Sequence, residues 1–130
     1  MRFLGIDYGK RKIGLAISEG MSASTFKVIK VTGLNDALAK INQIIASEGV
    51  GKVVIGIPES GEAKNVALSF ARELKGKIEV IEVDETLTTH SAQHKMKEMG
   101  VGERDRQMKE DAYAAVQILQ EYLDQQAQNE

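Results

Sequence analysis

The stretch Arg2-Phe3-Leu4-Gly5-Ile6-Asp7-Tyr8-Gly9-Lys10-Arg11-Lys12-Ile13-Gly14-Leu15-Ala16-Ile17-Ser18-Glu19 opens the chain and decides its architecture. Two apolar, β-branched runs, 2–8 and 11–19, flank the short connection Tyr8-Gly9-Lys10, which is the pattern of an antiparallel hairpin. Asp7 interrupts the first run at its end. A carboxylate turned toward a core costs several kcal/mol unless a partner, a hydrogen-bond network or a metal compensates it.

Working outward, 24–32 reads as a third strand with Phe26, Val28 and Ile29 as its apolar members. Asn35 is the expected N-cap of a helix from Asp36 to about Ser47, with the stripe Ala37, Leu38, Ile41, Ile44 and Ile45, and Gly49 ends it. Lys52-Val53-Val54-Ile55-Gly56-Ile57 reads as a buried strand stopped by Pro58, the only proline. A helix over about Ala63–Leu74, a strand at 78–83, and a helix capped by Thr88 or Thr89 and running to Met99 follow. A loop at 100–107 then leads to a last helix from about Met108 to Gln125. No linker or repeat divides the chain, so one domain over 1–130 is expected.

Three antiparallel strands followed by alternating helices and strands predict an α/β fold, a five-stranded mixed sheet with helices on both faces. Right-handed crossovers place the first and fourth strands side by side, with the fifth beyond. This order matches a ribonuclease H-like fold, and periodicity alone leaves other small α/β sandwiches open.

The chain has 130 residues, a formal net charge of −2 and no cysteine. Disulfides and thiolate metal sites are therefore excluded, and a reducing cytoplasm is the expected location. No apolar run approaches the roughly 20 residues needed to span a bilayer, so no membrane is expected as a partner. The charge balance argues against coating nucleic acid by bulk positive charge. Cations are instead local: Lys10, Arg11 and Lys12 follow Asp7, and Arg104, Arg106 and Lys109 precede Asp111. These six are the candidate contacts to a nucleic-acid backbone. The loops 58–64 and 100–107, rich in glycine and mixed charge, are further candidates for touching a substrate.

Two more acids share the awkwardness of Asp7. Asp84-Glu85 follows the strand 78–83, and because adjacent strand residues point to opposite faces, only one of the pair can join a site with Asp7. Alternation along 78–83 is too mixed to choose between them. Asp111 shares a helical face with Ala114, Ala115, Ile118 and Tyr122, where the two alanines let the helix sit close to the sheet. Brought together, such acids repel by roughly 4 kcal/mol per pair at about 4 Å and an effective dielectric of about 20. A divalent cation reverses that sign, as in a metal-dependent nuclease. Thr86-Leu87-Thr88-Thr89 opens the next helix, whose free amides favour a phosphate. His90 and His94 lie four apart but have no third ligand nearby, so they read as surface residues.

Taken together, Leu4-Gly5-Ile6-Asp7-Tyr8-Gly9 with Arg11 and Ile13-Gly14-Leu15-Ala16, Val54-Ile55-Gly56-Ile57-Pro58, Asp84-Glu85-Thr86-Leu87-Thr88-Thr89, and Asp111-Ala112 through Ala114-Ala115 to Leu123 resemble the YqgF (RuvX) family. Its members are Holliday-junction-resolvase-like proteins also described as nucleases of pre-16S ribosomal RNA. The resemblance implies a ribonuclease H-like fold, a catalytic triad of Asp7, Glu85 and Asp111 holding Mg²⁺ or Mn²⁺, and the choice of Glu85 over Asp84. Thr86 stands where the family usually has Arg, and Glu59-Ser60-Gly61-Glu62 replaces a Met-Asp-Gly-Ser type loop. The expected activity is phosphodiester hydrolysis on structured RNA in 5′-end processing of the small-subunit precursor. The alternatives are cleavage of branched DNA at Holliday junctions, or nucleic-acid binding with little catalysis; length disfavours an actin-like nucleotide-binding fragment. A monomer or weak homodimer fits these roles.

Overall fold

The computed structural model describes residues 1–84 and 103–128, with the backbone alone described over 103–111. Glu85, the Thr86–Thr89 segment, His90, His94 and the expected helix ending at Met99 lie outside the described residues. The elements are β1 (Arg2–Tyr8), β2 (Lys12–Glu19), β3 (Ser22–Lys30), α1 (Leu34–Glu48), β4 (Val50–Ile57), α2 (Gly61–Lys75), β5 (Glu79–Asp84) and α3 (Glu103–Gln128). Their sheet order is β3-β2-β1-β4-β5, antiparallel across β1–β2–β3 and parallel across β1–β4–β5.

The pleat of β1 and β2 sorts side chains between two layers. Leu4, Ile6, Tyr8, Ile13 and Leu15 enter a core beneath α1 and α2, joined there by Val53, Ile55 and Phe70. Phe3, Ala16 and Val54 face the other way, against Ala115, Ile118, Leu119 and Tyr122 of α3. Each fully buried side chain of this size contributes roughly 1.5–3 kcal/mol. Tyr8 stacks on Phe70 at 4.5 Å between centroids, and Phe3 meets Tyr122 edge-on at 5.8 Å. Both faces are covered, which is why β4 reads as an unbroken apolar run.

Several boundaries differ from the sequence expectation. β3 covers 22–30 rather than 24–32, because the tight turn at Gly20 (φ 62°) brings Ser22 directly opposite Glu19. The N-cap of α1 is Gly33, not Asn35. The first turn is instead tied to the chain that precedes it: the Asp36 carboxylate accepts the Thr32 N–H at 2.9 Å and pairs with Lys40 at 3.1 Å. These partners hold the Asp36 carboxyl below the usual carboxylate range, the Thr32 amide being the largest cause. Helix α2 begins at Gly61, so only Pro58–Ser60 of the expected loop 58–64 is non-helical. Helix α3 begins at Glu103, which turns most of the expected loop 100–107 into helix. Residues 103–110 contain no glycine, proline or β-branched residue, and Glu103 and Asp105 suit the positive end of the dipole. Gly49 ends α1 as expected, in the left-handed conformation with its N–H donating to Ile45 O.

Two polar side chains tie the α3 side together. Ser18, 1% exposed, accepts the Phe3 N–H at 2.9 Å beside the register shift between Arg2 and Phe3. Gln120 of α3 accepts the Ala23 N–H at 2.9 Å and donates to Met21 O at 3.0 Å, clamping the β2–β3 hairpin to the helix.

Candidate active site

Asp7 follows Phe3 and Gly5 on the alternating face of β1, so it stands on the α3 side of the sheet, half-buried, near the strand's C-terminal end. Its neighbours at that level carry no side chains. Gly14 of β2 lies directly opposite it. On the other side, Ile6 pairs with Ile55, so the next β4 position is Gly56. Both glycines are buried, and both follow a side chain of the α3-side core, Gly56 after Val54 and Gly14 before Ala16. The carboxylate therefore sits in a row walled by backbone. Sequence reasoning had no use for Gly14 and Gly56 beyond their place in motifs; their pairing with one acid appears only in the register.

Helix α3 reaches this end of β1 because of a third glycine. A Cβ on Gly5 would fall 2.7 Å from Leu119 Cβ and 2.8 Å from Ala115 O, so helix and strand touch without an intervening side chain. With Phe3 against Tyr122 and Gly5 against Leu119 and Ala115, the helix runs opposite to β1. Two strand residues beyond Gly5 advance about 6.6 Å, and four helix residues before Ala115 advance about 6 Å. Position 111, on the same stripe as Ala115 and Ile118, is thereby carried toward the level of Asp7.

Strand β5 fixes the face of Asp84, one of the two acids that its sequence left open. Ile81 and Val83 pack on the α3-side core, whereas Val80 packs on the opposite one. Glu82, which pairs with Lys75 of α2, shares the face of Val80. Asp84 ends the strand, exposed, in that same alternation and thus on the α1–α2 face.

The six expected backbone contacts fall in two places. Lys10, Arg11 and Lys12 form the β1–β2 turn and, with Asp7, line a cavity of about 240 Å³. Lys10 pairs with Glu62 at the start of α2, and both side chains are exposed. Arg104, Arg106 and Lys109 lie in the first turns of α3. No helix among the described residues is long and apolar enough to cross a membrane.

The model of the RuvX family, described as Holliday junction resolvase, matches residues 1–125. The chain belongs to the RuvX family. A RuvX relative from Acetivibrio thermocellus, named "Putative pre-16S rRNA nuclease", is 36% identical over 95% of this chain and 96% of its own. One of the same name from Ruminiclostridium cellulolyticum is 37% identical, covering 99% and 98% of the two chains. Among solved structures, the RuvX chain is similar to RuvC of T. thermophilus in complex with a Holliday junction substrate, at a TM-score of 0.63 and 15% identity over 98% of this chain and 96% of that one. That likeness makes the fold ribonuclease H-like, as the strand order led one to expect.

Proposed function

We propose that this RuvX-family chain is a metal-dependent nuclease that hydrolyses phosphodiester bonds in the precursor of small-subunit ribosomal RNA, with Asp7, Glu85 and Asp111 as its catalytic acids. The observation that carries the reading is the setting of Asp7. The acid is half-buried, flanked by Gly14 and Gly56, and stands at the end of β1 that α3 approaches through Gly5, so backbone and a phosphate can come close to it. The names of the relatives supply the RNA class.

The residues present suit a hard divalent cation such as Mg²⁺ or Mn²⁺: carboxylate oxygens are the donors, the glycine row leaves room beside Asp7, and the chain has no thiolate to offer. When bound, such an ion lowers the pKa of water and stabilises charge on the leaving oxygen. The chain's own residues do the rest. Asp7 would hold the cation from a strand paired on both sides. Membership of β5's α1–α2 face argues against Asp84, which supports Glu85 as the second ligand. The stripe of Ala115 and Ile118 supports Asp111 as the third. Lys10, Arg11 and Lys12 on one side, with Arg104, Arg106 and Lys109 on the other, offer contacts to phosphates, so recognition follows the shape of the nucleic acid more than its bases.

The test incubates labelled precursor RNA and a four-way DNA junction with the protein in Mg²⁺, Mn²⁺ or EDTA, beside Asp7→Asn, Asp84→Asn, Glu85→Gln and Asp111→Asn. Loss of the triad carboxylates is expected to reduce cleavage at least about a hundredfold, with Asp84→Asn close to the unaltered protein. Cleavage that survives EDTA or Asp7→Asn refutes the mechanism. The family description favours one second reading, cleavage of branched DNA, and preference for the junction would establish it. Binding of both substrates without cleavage would mark a binding factor instead.

A further inference from the structure

On the α1–α2 side of the β1–β2 turn lies a groove of about 1020 Å³, much larger than the cavity at Asp7 and sharing Tyr8, Lys10, Arg11 and Lys12 with it. Its walls combine two chemistries. Lys10, Arg11, Lys12 and Lys30 line one end, and among the described residues no acid lines it. Lys12 and Lys30 are direct cross-strand partners, so two cations stand side by side at that end. The remaining walls are largely apolar, with Leu34, 37% exposed, and Val66 turned toward the space. A cationic edge on a chain of net charge −2 draws an anion to that place rather than to the surface at large.

We propose that this groove takes the unpaired nucleotides of a strand that continues past the cleavage site, their phosphates on the turn cations and their bases against Leu34 and Val66. The inference rests on the nuclease reading for its direction, since the turn is the ridge between the two cavities. A strand whose phosphate lies at Asp7 crosses Lys10–Lys12 and descends into the groove. A duplex uses the cations only, because its base faces are stacked inside; single-stranded nucleic acid also presents apolar surfaces that the groove can cover. The occupant is thus an overhang or a loop beside a helix, which is a substrate class rather than a sequence.

The experiment measures fluorescence anisotropy in EDTA, where no cleavage occurs, with an RNA hairpin that is blunt or carries a 5′ or 3′ single-stranded extension. One extension is expected to tighten binding about tenfold over the blunt form. Leu34→Glu with Val66→Glu is expected to abolish that gain and leave binding of the blunt hairpin within about twofold, with the far-ultraviolet circular dichroism unchanged. Should that variant unfold, 5-iodouridine in the extension of the unaltered protein is to cross-link to peptides containing Leu34 or Val66. Equal affinity for blunt and extended hairpins overturns the proposal, as do cross-links confined to α3. So does full competition by a free mononucleotide at the same concentration, which marks a small-ligand site. None of these readouts depends on Asp7 or on cleavage, whereas the nuclease reading fails through absence of cleavage, or through cleavage by Asp7→Asn or in EDTA.

Discussion

Gly5→Ala adds one methyl group at the place where α3 rests on β1. The new Cβ would lie 2.7 Å from Leu119 Cβ and 2.8 Å from Ala115 O. Ordinary contact begins near 3.4 Å, so the helix must retreat by about 0.6 Å, and the second obstacle is backbone that no rotamer change removes. Overpacking of this kind costs about 1–3 kcal/mol, against which replacing glycine in a strand returns at most about 1 kcal/mol. A net loss of about 1–2 kcal/mol lowers the melting temperature by roughly 3–10 °C for a chain of this size. Misplacement of 1 Å can cost about a hundredfold in rate, so cleavage is expected to fall about tenfold as α3 is displaced from Asp7. Gly51→Ala is the matched control. There the added Cβ would lie 2.5 Å from Met1 Cγ, but Met1 is 80% exposed and swings aside, so melting and cleavage are expected to stay unchanged. Calorimetry and an initial-rate cleavage assay on both variants decide the matter. Unchanged melting in Gly5→Ala, or an equal loss in Gly51→Ala, refutes the argument that helix position is set by this contact.

Ser18→Ala leaves the Phe3 N–H without its acceptor beside the β1 irregularity and is expected to cost about 1–3 kcal/mol in denaturant unfolding. Gln120→Ala removes the clamp on Met21 and Ala23, and hydrogen exchange at Ala23 is expected to accelerate before any change in β1. Asp36→Ala is expected to destabilise α1 at neutral pH. Because the folded carboxyl titrates below its unfolded value, that stabilisation is present above the unfolded value and disappears as pH falls through the folded one. Thermal melts of the two proteins should therefore differ at neutral pH and converge at strongly acidic pH.

The sheet order was legible because β1 and β2 alternate cleanly and because right-handed crossovers leave few ways to place β4 and β5. What escaped was tertiary. Asn35 is a good cap in isolation, but Asp36 reaches Thr32 and moves the helix start to Leu34. The start of α3 was hidden by neighbouring glycines, whose loop signal outweighed the helix-forming run that follows them. In β5 both faces carry apolar residues because helices cover both, so periodicity had no contrast to report; the partition of Val80 from Ile81 and Val83 into different cores supplies it. For the site, Asp7 and Asp111 stood out as acids at apolar positions. The three glycines around Asp7 did not, since absent side chains signal nothing until partners are known.

The walls beside Asp7 have a consequence for how such a site can vary. They are main chain from Gly14 and Gly56, so their separation follows the spacing of hydrogen-bonded strands, about 4.8 Å on either side. Repacking either core changes volumes above and below the sheet but leaves that interval alone. The width of the hollow is a property of paired β-strands in general, and only a side chain appearing at one of two positions can alter it.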